Sequence, residues 1–221
     1  MKISSGFDYS FVGENKVFIS GIGTCTDENL VIPSSYNGCA VVGIAEKAFC
    51  RNDRIKSVLL PCSVVFIDSQ AFAWCRKLEK IQLSSVIEIS DRAFMGCDML
   101  EEVTLGDYVE CIGDKAFAYC PSIKSISLPN STASLGVAAF AGCRNLCKAS
   151  LSSRIEVIEN STFYACGSLR QVILPRRLQY VDEYAFAYCT SITEMLIPSK
   201  TVLNADAFYE CGTLSRKGIV S

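Results

Sequence analysis

The sequence contains no histidine. This absence excludes catalysis of the Ser-His-Asp and Cys-His types, and also every metal site that needs an imidazole ligand. No apolar run approaches the roughly 18 residues of a membrane helix, so we expect no membrane insertion. The 21 basic and 23 acidic residues nearly balance. Because nucleic-acid-binding proteins usually show a basic excess, we expect no nucleic-acid partner.

Cysteine, in contrast, is abundant. The chain has 13 cysteines, an odd number, so at least one thiol has no partner within the chain. No two of them are spaced as Cys-x-x-Cys, the usual spacing in zinc and iron–sulfur sites. We therefore predict no metal site, no cofactor and no catalytic residue, and we interpret the chain as a non-enzyme.

A repeated motif runs along most of the chain. Its marker is Ala-Phe-x-x-Cys, and successive phenylalanines are 22 or 23 residues apart. The first copy has Asn52 in place of the cysteine, and the sixth has Thr162 in place of the alanine. The repeated phenylalanines are Phe49, Phe72, Phe94, Phe117, Phe140, Phe163, Phe186 and Phe208.

Other apolar positions recur at the same spacing as the motif, so that aligned repeats show columns of apolar residues. Nine and eleven residues after most of the phenylalanines, apolar positions alternate with polar ones, as in Ile81 and Leu83 or Val103 and Leu105. This period of two predicts a strand. One repeat cannot bury its own apolar side, but stacked repeats can, so we predict parallel strands in one continuous rod. The last copy departs from the pattern at Lys217 and Gly218.

These columns resemble the BspA-like leucine-rich repeats, best over 123–143 and 169–189. The resemblance implies an α/β-type repeat solenoid. A parallel β-sheet would line its concave face, and short turns or helical segments would form its convex side. We predict a single solenoid domain over 1–221. Within it, 1–43 would form a cap-like hairpin and a degenerate repeat, and 44–221 would form about eight repeats of 22–23 residues.

The cap is predicted from its own pattern. Phe7 to Val12 and Lys16 to Ser20 flank Gly13-Glu14-Asn15, which is typical of a hairpin. Leu30 to Pro33 is a degenerate repeat strand, and Asn37-Gly38 predicts a turn before the regular array.

The seven repeat cysteines are interpreted as a column of small, buried, reduced side chains. Disulfides between neighbouring repeats and a reactive thiol among the other six cysteines stay open as alternatives. Trp74, Tyr119 and Tyr188, each just before a repeat cysteine, are expected to be partly exposed on the convex edge.

The predicted partner-binding residues come from the two columns that face outward from the concave sheet. Their charges are of both signs, so no single-sign field is expected. Ile173 and Leu196 form an apolar pair on an otherwise polar face, which is a sign of an interaction surface. The predicted residues are Lys80, Gln82, Glu102, Thr104, Lys148, Gln171, Ile173, Glu194 and Leu196.

Two functions are consistent with these observations. The resemblance implies a non-catalytic adhesion module of surface proteins in bacteria and protists, located at the cell surface or secreted, whose partner is a protein or a cell-surface macromolecule. The alternative is a cytoplasmic protein-interaction scaffold in a reducing compartment. It is favoured by the many thiols and by the lack of a signal-peptide pattern in the first six residues.

Overall fold

A computed structural model describes residues 2–212 and 219–220, and these residues form strands and turns only. None of the described residues lies in a helix long and apolar enough to cross a membrane. The strands are β1 (Asp8–Phe11), β2 (Lys16–Gly21), β3 (Asn29–Val31), β4 (Ser35–Tyr36), β5 (Cys39–Ile44), β6 (Ser57–Leu59), β7 (Phe66–Ile67), β8 (Lys80–Leu83), β9 (Glu88–Ile89), β10 (Glu102–Leu105), β11 (Cys111–Ile112), β12 (Ser125–Ser127), β13 (Ser134–Leu135), β14 (Lys148–Ser150), β15 (Val157–Ile158), β16 (Gln171–Ile173), β17 (Tyr180–Val181), β18 (Met195–Leu196), β19 (Val202–Leu203) and β20 (Ile219–Val220).

Each regular repeat is one rung of a β-solenoid and contributes two short parallel strands. The first array follows the alternating columns and pairs in the order β3-β6-β8-β10, then β12-β14-β16, then β18-β20. The second array contains β5-β7-β9-β11-β13, then β15-β17-β19. Registers match from rung to rung, so that Ser57 lies beside Lys80 and Lys80 beside Glu102. The predicted parallel stacking of repeats is confirmed.

The phenylalanine column forms the centre of the core. Seven of the rings, from Phe49 to Phe186, are fully buried. From Phe72 to Phe186, neighbouring ring centroids are 5.2 to 5.7 Å apart and the ring planes lie within 9° of each other. Every rung therefore places the same large apolar side chain against its copies above and below, which buries surface that one rung would expose.

The convex side differs from the prediction, because the described residues form no helix there. The Ala-Phe segments are tight turns, and their hydrogen bonds run between rungs: the Phe72 N–H donates to the Ala93 carbonyl oxygen at 2.8 Å. Residues two before and two after the phenylalanine have left-handed φ values, for example 57° at Gln70 and 61° at Trp74. Two such residues in five interrupt any α-helix. The predicted turns are present, but the helical segments and the α/β class were wrong.

The N-terminal end is covered by short strands. β1 pairs antiparallel with β2, and β2 pairs in parallel with β5. β4 and β5 form a second antiparallel pair across Asn37 and Gly38, which both have positive φ as a type I′ turn requires. The division of the chain between residues 43 and 44 stays a prediction. Lys217 and Gly218 lie outside the described residues.

Candidate functional site

The outward-facing residues of the first array lie along one side of the stacked rungs, and we call this surface the strand face. Successive side chains of a strand lie on opposite faces of the sheet, so Val58 and Ile81 are buried and their neighbours in the strand face outward. Every residue that the sequence predicts for partner binding is exposed on this face. The site assignment itself stays a prediction, because exposure alone identifies no partner.

The predicted residues separate into two groups along the rod. In the first, Lys80 lies beside Glu102 and Gln82 beside Thr104, on β8 and β10. These four side chains line a shallow hollow together with Leu59, which lies beside Gln82 on the neighbouring strand. The sequence prediction omitted Leu59. Its position in the same outward column as Gln82 was the signal that could have identified it.

The second group lies two strands further along. Lys148 lies beside Gln171, and Ser150 beside Ile173. Gln171, Ile173, Glu194 and Leu196 line a second hollow. Leu196 is 72% exposed and Ile173 45% exposed, so this hollow presents the largest apolar contribution on the strand face. Arg170, at its rim, was not predicted.

The serines of β12 separate the two groups. Ser125 and Ser127 are exposed and small, and no predicted binding residue lies on this strand. The structure therefore does not bring the predicted residues together in one pocket. It gives separate hollows, and a third one is lined by Ser125 and Ser127 of β12 together with Lys148, Ser150 and Ile173.

The electrostatics of the strand face are mixed. Among residues 2–212, no salt bridge involves Lys80, Glu102, Lys148 or Glu194. Residues next to the strands form exposed ion pairs: Lys56 pairs with Glu28 at 2.6 Å, where the Lys56 hydrogen bond lowers the pKa of Glu28, and Lys124 pairs with Glu101 at 3.6 Å. Such exposed pairs contribute little stability. Among the described residues, the charges of both signs on the strand face are therefore available to a partner.

The repeat cysteines are buried and donate hydrogen bonds to the preceding rung. Each Sγ lies 2.7 to 3.2 Å from the carbonyl oxygen of the phenylalanine in that rung, as in Cys143 to Phe117 at 3.1 Å. Burial raises the pKa of the Cys75 thiol to about 12, and raises those of Cys97, Cys143 and Cys166 as well. The thiolate, and not the protonated thiol, is the nucleophile and the metal ligand. Because their raised pKa values keep these thiols protonated, we assign the column a structural role.

The other cysteines lie in separate surroundings. Cys62 and Cys147 are exposed, Cys25 is buried, and Cys39, Cys50 and Cys111 are intermediate. Burial raises the pKa of Cys111. Within the described part of the chain, no three histidine, cysteine or acidic residues are grouped so that they could hold a metal ion.

Aromatic side chains mark the outer edge of the turns. Trp74 is partly buried, whereas Tyr119 and Tyr188 are exposed, as the sequence predicts. Trp74 covers Gly96 of the next rung, where an added Cβ would meet the indole ring, and Tyr119 covers Gly142 in the same way. Glycine at these two positions is thus required by a neighbouring aromatic ring as well as by its positive φ.

The comparisons agree with this geometry. The family model of the BspA type leucine rich repeat region matches six copies, over residues 24–107, 42–136 and 87–215. The crystal structure of a leucine-rich repeat protein from T. pallidum is similar, with 28% identity and a TM-score of 0.80, over 85% of this chain and 88% of that one. A leucine-rich repeat protein from Bacteroides ovatus is 27% identical with a TM-score of 0.74, over 90% of this chain and 60% of that one. No curated protein matches at a significant level.

Proposed function

The chain belongs to the BspA type leucine-rich repeat family, and on that premise we propose that it is a non-catalytic module that binds another protein on its strand face. Repeat domains of this family are generally protein-interaction modules. A rigid stack of parallel strands offers a broad surface whose outward residues vary without disturbing the core. The resemblance of the sequence to this family implies that this surface is the concave side of the solenoid, and this supports the proposal.

The exposed pair Ile173 and Leu196 is the observation that carries the proposal. The hydration of two large, exposed apolar side chains is unfavourable in free energy. A partner that covers them removes this apolar surface from water, which favours binding. Interfaces commonly place such a cluster at their centre and polar groups at the rim. Here Arg170, Gln171 and Glu194 provide that rim.

The finer form of the proposal is adhesion at a cell surface. Members of the family are typically surface-associated in bacteria, and both similar solved structures described above are bacterial leucine-rich repeat proteins. The partner is then a protein or another macromolecule presented on a matrix or on a cell. The mixed charges of the strand face favour a partner without a large excess of one sign.

A double substitution tests where the partner binds. The purified chain and its I173K/L196K variant are each immobilised and exposed to an extracellular-matrix extract and to a whole-cell extract. We expect a protein that the original chain retains and the variant releases, with an affinity at least tenfold lower for the variant.

The matched control is I87K/M99K, which adds the same charge at apolar residues that are 37% and 49% exposed away from the strand face. This control should retain the partner. Equal losses in both variants, or no loss in either, would place the binding site elsewhere.

A second candidate function is a protein-interaction scaffold in a reducing compartment. The exposed thiols of Cys62 and Cys147 favour it, because free surface thiols persist best where the surroundings are reducing. Immunodetection of the native protein in medium, surface and cytosolic fractions distinguishes the two functions. Adhesion requires the surface or medium fraction, and a scaffold requires the cytosol.

A further inference from the structure

The turns of the last three rungs combine tyrosine with acidic residues and lack basic ones. Segments 158–168, 181–191 and 203–212 contain no lysine or arginine. The corresponding turn segments 44–54 and 67–77 of the first two rungs carry both signs. The acidic residues of the late turns are Glu159, Asp182, Glu183, Asp206 and Glu210.

The tyrosines of these turns form a packed cluster at the surface. The Tyr188 ring meets Tyr164 at 5.3 Å and Tyr209 at 5.7 Å, both edge to face. Tyr184 meets Tyr209 at 6.1 Å and 87°. The turn ladder fixes their spacing, since the Tyr188 N–H donates to the Tyr209 carbonyl oxygen at 2.8 Å. Tyr164, Tyr188 and Tyr209 nevertheless remain exposed.

Carboxylates surround these rings. Glu183 and Asp206 raise the pKa of Tyr184 through their negative charge, and Glu210 adds to the burial that raises the pKa of Tyr188. In the part of the chain that the structure describes, Glu183, Asp206 and Glu210 enter no salt bridge. The cluster therefore offers aromatic surface and unpaired negative charge at the same place.

We propose that this acidic tyrosine patch, formed by Tyr184, Tyr188, Tyr209, Glu183, Asp206 and Glu210, binds an arginine-rich segment of a partner protein. A guanidinium group stacks on aromatic rings and pairs with carboxylates in a planar, two-pronged geometry. A lysine ammonium has the charge but lacks the plane. The patch lies on the turns, so it is a second surface that does not depend on the strand face.

Fluorescence anisotropy of a fluorescein-labelled (Arg-Gly)4 peptide tests the proposal with the full chain at low salt. We expect saturable binding, at least threefold tighter than that of (Lys-Gly)4. The variant E183Q/D206N/E210Q should weaken binding at least tenfold, and Y188A/Y209A at least fivefold. Both alanines are acceptable to the fold, because Ala165 and Ala187 occupy the same two columns in neighbouring rungs.

Two matched controls distinguish binding at the acidic tyrosine patch from binding elsewhere on the turns and on the strand face. Y119A removes an exposed tyrosine from the same column as Tyr188, three rungs away, and should change the peptide affinity less than twofold. I173S/L196S alters the strand face and should have equally little effect. Absence of (Arg-Gly)4 binding, or a loss as large in Y119A as in Y188A/Y209A, would overturn the proposal. A dimer in sedimentation that Y188A/Y209A abolishes would also overturn it, because a second copy would then occupy the patch.

Discussion

At the scale of single residues, the repeat cysteine acts as a hydrogen-bond donor. Its position three residues after the phenylalanine brings Sγ to the preceding rung's carbonyl oxygen, and burial keeps the thiol protonated. The sequence predicted a small buried side chain in this column. It did not predict the bond, because the acceptor belongs to a residue 25 or 26 positions earlier.

The thiol bond should contribute measurably to stability. We expect Cys143→Ala to lower the free energy of unfolding by about 1–3 kcal/mol, from the lost hydrogen bond and the small cavity. Cys147→Ala, four residues further and exposed, should change it by less than about 0.5 kcal/mol. Urea denaturation under reducing conditions measures both values. Similar losses in the two variants would contradict the assigned role of the buried thiol.

The same thiols predict how stability depends on pH. Burial raises the pKa of Cys75 to about 12 and that of Cys211 to about 11, whereas the unfolded chain releases these protons near pH 8.5. Stability is therefore complete below about pH 8.5 and is lost as the pH rises towards 11 and 12, by up to about 1.4 kcal/mol per pH unit for each thiol. Urea midpoints at pH 8 and pH 10 measure the loss, which should be smaller in C75A/C211A. An equal loss in that variant would refute the assignment.

At the scale of the element, the first strand array could be predicted and the second could not. The alternation around Ile81 and Val103 spans enough residues to show a period of two. In the second array most strands have two residues, as at Phe66–Ile67, and two residues show no period. The left-handed turns could not be predicted from the sequence either, because Lys47 and Trp74 are not residue types that favour positive φ.

The stacked rungs predict that identical substitutions have unequal costs along the rod. Phe117→Ala removes a fully buried ring that has a parallel neighbour on each side, and should cost about 3–5 kcal/mol. Phe208 is only partly buried, so Phe208→Ala should cost about half as much or less. Chemical denaturation of both variants measures the difference. Equal costs would contradict a linear stack in which burial depends on neighbours.

At the scale of the whole molecule, the residues that stabilise the fold differ from the residues that are exposed for binding a partner. Phenylalanines, repeat cysteines and inward strand residues hold the stack, and the outward columns are free to differ from rung to rung. The sequence predicted this division and the exposed pair Ile173 and Leu196. It did not predict that the strand face is divided into several shallow hollows, because the shape of a hollow depends on how side chains of neighbouring rungs lie against each other.

The most direct measurement of the central claim is hydrogen–deuterium exchange of the chain with and without the protein that it retains from extract. Binding on the strand face predicts slower exchange in β14, β16 and β18 and unchanged exchange in the Ala-Phe turns of the same rungs. Slower exchange confined to the turns or to the N-terminal strands β1 and β2, with β16 and β18 unaffected, would contradict it.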